Sequence, residues 1–239
     1  IFCPPQIHYT IFMIYILLGL LILALVFFPS VWVKRILEKY SIPADRYTGT
    51  GSELAKYLLK KESLENVSVE ITEDGDHYDP EKKAVRLTKE KYNSRSLTAI
   101  TVAAHEVGHA IQDRDNYAPL KLRTKLAKAT MAIEKIGASI LMISPFVGIF
   151  TKAPSLSAVI FISGLLTMLS STLIHLITLP TEFDASFGRA LPLLENKNIL
   201  KDGDMKHARK ILKAAAMTYV SASLMSLLNI ARWWAILRR

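Results

Sequence analysis

The sequence predicts an α+β membrane protein, mainly helical, with three or four transmembrane helices and one small polar unit built on a short β-sheet. Three observations predict it. Long uncharged runs punctuate the chain. A polar stretch of roughly ninety residues between the first two runs mixes helical and strand periodicity. The basic residues gather beside the uncharged runs rather than in one patch.

The first run, residues 9–33, reads "YTIFMIYILLGLLILALVFFPSVWV" and carries no charge. At about 1.5 Å per residue it exceeds the ~30 Å hydrocarbon core of a bilayer. It reads as a retained transmembrane anchor. The run is too long for a signal-peptide core, its flank has no positive charge, and no small-residue cleavage site follows.

Residues 41–128 form the polar unit. "TGTGSELAKYLLKK" (48–61) reads as a loop feeding a helix, with Ser52 as its cap and Leu54, Leu58 and Leu59 on one side. "VSVEIT" (67–72) alternates Val67, Val69 and Ile71 and reads as a strand. "EDGDHYDPEKK" (73–83) is rich in turn formers and reads as a turn. "AVRLT" (84–88) reads as a second strand, expected at the exposed sheet edge where an extended peptide could pair. Residues 95 to 113 read as a helix, with Leu97, Ile100, Ala104, Val107 and Ile111 at helical spacing.

Residues 129–239 read as membrane helices, with spans at about 131–151, 153–179 and 214–236 and an interfacial Trp233–Trp234 pair. The net charge of +9 does not predict a nucleic-acid partner, because of where the charges lie. Lys34, Arg35 and Lys39, then Lys121, Arg123, Lys125 and Lys128, then Lys206, Arg209, Lys210 and Lys213, flank the expected spans. That asymmetry predicts a multi-pass protein of a bacterial-type inner (plasma) membrane, in contact with the lipid bilayer, its polar unit facing the cytoplasm. Cys3 is the only cysteine, which excludes an intrachain disulfide and a thiolate zinc cluster. Nothing in the sequence fixes an oligomeric state.

The chemistry sits in "VAAHEVGHAIQD" (102–113). On a helix, His105 and His109 lie one turn apart on one face and can converge on a cation. Zinc takes imidazole nitrogens at about 2.0–2.1 Å in a tetrahedral shell. Glu106 is rotated by about 100° from His105. It is poorly placed as a ligand and well placed as the base that activates a zinc-bound water. Gly108 and Ala104 keep this helix narrow enough for another element to approach. The pattern predicts one Zn2+ per chain. The third ligand must come from elsewhere, and His77, Asp79, His175, His207 and Glu182 are the candidates. Glu182, at the mouth of the expected third span, is favoured, because a His/His/Glu shell leaves a position for water. Asp184 could support a histidine from behind. His77 or Tyr78 could polarise a scissile carbonyl.

The block "GDHYDPEKKAVRLTKEKYNSRSLTAITVAAHEVGHAIQD", followed by "LPTEFDAS", closely resembles the YugP-type membrane zinc metallopeptidases, also called neutral zinc metallopeptidases. "TGTGSELAKYLL" and "YAPLKLR" extend the resemblance over most of the chain. That family is grouped with gluzincin-like peptidases, distantly similar to the HtpX type. The resemblance implies a zincin-like catalytic domain over 41–128, with His105, His109 and Glu182 as ligands and Glu106 as base. Many gluzincins place an aspartate three or four residues after the ligand glutamate. Here Asp184 comes two after it and Ser186 holds the fourth position.

The expectation is therefore a membrane-anchored zinc-dependent endopeptidase acting on polypeptides at the cytoplasmic membrane surface. A zinc-bearing scaffold without turnover is one alternative. An intramembrane protease is another, although charged flanks leave the His105–His109 helix too short to span.

Overall fold

The structure is a computed structural model and describes residues 5–196 and 199–237. A long first helix, α1 (Pro5–Lys39), leads through a loop to α2 (Gly51–Lys61). Three short strands follow, β1 (Ser68–Thr72), β2 (His77–Asp79) and β3 (Ala84–Thr88). Then come α3 (Lys89–Asn93), α4 (Leu97–Arg114), α5 (Ala118–Thr151) and α6 (Pro154–Ile177). The chain ends with α7 (Leu179–Phe183), a π-helical segment (Asp184–Ala190), α8 (Leu191–Asn196) and α9 (Met205–Leu237).

Helix α2 is capped by Thr50, not Ser52. Thr50 accepts from the Glu53 amide while the Glu53 carboxylate accepts from the Thr50 amide, a reciprocal capping box. Leu58 and Leu59 then fall on the buried face. Ser96 caps α4 by accepting from the Ala99 amide.

The sheet order is β1-β3-β2, with β1 parallel and β2 antiparallel to β3. Strand β3 is thus central, paired on both sides, and the exposed edge expected at 84–88 does not exist. The turn expected over 73–83 contains β2. Tyr78, buried, donates to Asp113 Oδ2 at 2.7 Å and ties β2 to the end of α4.

Helix α4 is buried from Leu97 to Gln112. It packs against α2 on one side and against the π-helical segment and α9 on another. Its small residues allow this: a Cβ at Gly108 would sit 2.6 Å from the Ala185 carbonyl oxygen. Leu58, Leu87, Leu194, Ile211 and Leu212 are fully buried in the same core, each worth about 1.5–3 kcal/mol of burial. The core draws on residues 47–111 and 190–212, so α8 and α9 complete the unit that α2, the sheet and α4 begin.

The expected transmembrane architecture is not found. The uncharged runs are helical, yet among the described residues no helix is long and apolar enough to cross a membrane. The three or four spans are therefore overturned, and the multi-pass inner-membrane location falls with them. A helix apolar over much of its circumference is either lipid-embedded or packed among other helices. Here α5 packs along α6, and both α1 and α6 pack along α9. Helices α5 and α9 also contribute Arg123 and Tyr219 to the site described next.

Candidate metal centre

Helix α4 presents His105 and His109 one turn apart, their rings edge to face with centroids 4.8 Å apart. Helix α7 brings Glu182 to meet them. Its Oε2 lies 3.4 Å from Nε2 of His105 and 3.4 Å from Nε2 of His109. The ligand atoms of all three residues lie within 4.8 Å of one another, and all three side chains are buried. A tetrahedral shell with ~2.0–2.1 Å bonds separates its ligand atoms by roughly 3.3–3.4 Å. The two imidazole–carboxylate separations, 3.4 Å each, fit that shell.

The hydrogen bonds behind the rings fix which nitrogen is free. Ser186 Oγ donates to the Leu212 carbonyl at 3.2 Å, so toward His105 Nδ1, at 3.0 Å, it acts as acceptor. Gln112 Nε2 donates to the Thr181 carbonyl at 2.9 Å and to Asp184 Oδ2 at 2.7 Å. Gln112 Oε1, 2.9 Å from His109 Nδ1, must then accept. Both imidazoles carry their proton on Nδ1 and turn a bare Nε2 toward Glu182, the tautomer a metal needs. Asp184 accepts from Gln112, which in turn meets His109. Ser186 stands behind the other.

Burial alone would drive the Glu182 carboxyl to its neutral form. Its neighbours His109 and Arg123 outweigh that effect and hold the group well below the usual carboxylate range. A fully buried, ionised carboxylate facing two bare imidazole nitrogens is a donor set for a divalent cation. Glu106, also buried, is pushed up to about 7 by that burial. Burial also pulls His109 below its ordinary range.

Glu106 lines a cavity of about 110 Å³ with both histidines, Glu182, Asp76 and His77. Arg123 from α5 and Tyr219 from α9 also line it. Arg123 Nη1 lies 2.9 Å from Glu182 Oε1, and Nη2 donates to the Tyr219 hydroxyl. Sequence reasoning placed Arg123 only in a basic cluster and passed over Tyr219 and Gln112.

The other candidates sit as follows. His77 borders the cavity, and its Nδ1 donates to the Gly75 carbonyl at 2.8 Å. Tyr78 is engaged with Asp113 and is not in the cavity lining. Asp79 pairs with Arg86 at 2.9 Å. His207 stacks near Tyr40, with ring centroids 4.9 Å apart. None of these joins the three-residue group. The side chain of His175 lies outside the described residues.

A family profile described as "Putative neutral zinc metallopeptidase" matches residues 14–238. The chain belongs to this family. "Putative membrane protease YugP" of Bacillus subtilis (strain 168) is 34% identical over 229 residues, covering 92% of this chain and 95% of the relative. No solved structure matches. Zinc is the metal of the neutral zinc metallopeptidases, and His105, His109 and Glu182 form a group that could bind it.

Proposed function

We propose that this neutral zinc metallopeptidase hydrolyses peptide bonds in polypeptide substrates, with Glu106 as general base beside one zinc ion held by His105, His109 and Glu182. The observation that carries the reading is the meeting of α4 and α7: two bare imidazole nitrogens and one ionised carboxylate converge in the cavity that Glu106 lines.

Bound zinc supplies a Lewis acid that acidifies an attacking water and polarises a carbonyl. The protein's own part is proton handling and orientation. Glu106 follows His105 in the helix, so its side chain leaves the ligand face and enters the cavity. There a carboxylate oxygen takes the proton of the attacking water and hands it to the departing amine nitrogen. Burial suits the group to both steps, since an acid–base catalyst works best with a pKa near the working pH. Gln112 and Ser186 keep both ligand rings in the required tautomer. The catalytic unit is proposed as residues 41–128 joined by the Glu182 segment.

Substituting Glu106→Gln tests this. The variant should retain one zinc per chain by elemental analysis. Its hydrolysis of an unstructured polypeptide such as casein should fall by about 10²- to 10⁴-fold. Undiminished hydrolysis would remove Glu106 from the mechanism. Wild-type protein that holds zinc and cleaves nothing would favour the scaffold reading.

A further inference from the structure

We infer that Arg123, anchored by Tyr219, is a positioning residue that makes Glu182 a one-oxygen ligand and so keeps a position at the metal open. The inference rests on the proposed zinc site and concerns how that site is built.

A carboxylate can bind a metal through one oxygen or two. Two-oxygen binding raises the coordination number and takes space a catalytic site needs for water. The two oxygens of Glu182 have different neighbours. Oε2 faces both imidazole Nε2 atoms at 3.4 Å. Oε1 faces Arg123 Nη1 at 2.9 Å. That approach is off the hydrogen-bond axis, and Oε1 has no hydrogen-bond partner. Glu182 is 1% exposed, so solvent does not compete for Oε1. Arg123 is the one lysine or arginine among the described residues lining the cavity.

The guanidinium is itself held. Its second amino group donates to the Tyr219 hydroxyl, and its carbon lies 4.9 Å from the Tyr219 ring centroid. Nη1 also lies 3.5 Å from both ring nitrogens of His109, so the cation rests along the rim of the ligand set. Only a planar fork reaches carboxylate and phenol together; a lysine ammonium keeps the charge and loses the second contact. The two residues come from two helices, α5 and α9. They clamp Oε1 away from the imidazoles while Oε2 stays with them.

The test measures metal binding, not turnover. Zinc affinity is read by competition with a chromogenic chelator, and coordination number by the visible spectrum of the Co(II)-loaded protein. Arg123→Gln should weaken zinc binding by about 10- to 100-fold and convert an intense four-coordinate cobalt spectrum to a weaker, higher-coordinate one. Arg123→Lys should recover part of the affinity. Tyr219→Phe should move both readouts the same way by less. Unchanged affinity and spectrum in folded Arg123→Gln overturn the inference, as does lower affinity with an unchanged spectrum. Should Arg123→Gln not fold, Arg123→Lys and Tyr219→Phe decide it by the same two readouts. Wild-type protein that binds zinc without hydrolysis would end the peptidase reading and leave this one standing. Active wild type beside an unaltered Arg123→Gln metal site would end this one alone.

Discussion

His105 and His109 owe their bare nitrogens to two neutral neighbours, Ser186 and Gln112. Removing either acceptor leaves a buried N–H unsatisfied, at about 1–3 kcal/mol, and lets the ring turn. Gln112→Ala and Ser186→Ala are each expected to weaken zinc binding by about 10- to 100-fold, measured by chelator competition; affinity within twofold of wild type would contradict the tautomer argument. Glu106 predicts a pH dependence in the metal-free protein. Its folded pKa, about 7, lies above its ordinary value of 4.5. The contribution of the protonated carboxyl to stability is therefore complete below about 4.5 and lost as pH rises through about 7. Chelator-treated Glu106→Gln should gain thermal stability over wild type at pH 8 and not at pH 5; an equal difference at both would contradict it. The candidate histidine pair and the glutamate beside it were legible in the sequence because His105, Glu106 and His109 lie within about one turn of helix. Arg123, Tyr219 and Gln112 were not, because their roles depend on partners 96, 96 and 69–72 positions away.

At the scale of elements, the site depends on how closely α4 and the π-helical segment approach. A π turn closes i→i+5 bonds and is wider than an α turn. It begins two residues after Glu182 and carries Asp184 to Gln112 and Ser186 to His105. Gly108 sets the gap, since an added methyl would strike the Ala185 backbone at 2.6 Å. Gly→Ala inside a helix normally gains up to about 1 kcal/mol. Gly108→Ala is instead expected to lose about 1–3 kcal/mol through overpacking and to weaken zinc binding by displacing Ser186. A denaturant titration checks the sign, and a stabilised variant would show that the gap is slack. Strands β1 and β3 were legible from alternation and from β-branched residues. Strand β2 was not, because three residues carry no period and its DHYDP sequence has turn composition. The α2 cap fell two residues early because both Thr50 and Ser52 are capping residues, and only Thr50 has Glu53 three positions on.

For the whole molecule, the first helix packs along the last, α1 on α9. Asp204, before α9, accepts from Arg46 Nε at 2.6 Å and from the Tyr47 hydroxyl at 2.5 Å, joining the α1–α2 loop to α9. Burial pushes Asp204 upward, but these bonds prevail and hold it below its ordinary range. Its contribution to stability is thus present above about 3.8 and lost as pH falls through the lower folded value. Asp204→Asn should lower the urea midpoint at neutral pH by an amount that shrinks on acidification; a pH-independent loss would contradict the ionic account. Sequence reasoning misjudged this scale most. It took uncharged runs as spans, whereas among the described residues no helix is long and apolar enough to cross a membrane. Periodicity reports that a helix is apolar and does not report what it packs against. Large apolar side chains on α1, α5 and α6, Phe28, Phe146 and Phe150 among them, remain exposed. The central claim is that α7 completes a metal site begun on α4, and zinc content of purified wild type against Glu182→Gln tests it most directly. The account predicts one zinc per chain in the wild type and loss of that zinc in a folded Glu182→Gln protein. A Glu182→Gln protein that keeps one zinc with wild-type affinity would contradict it.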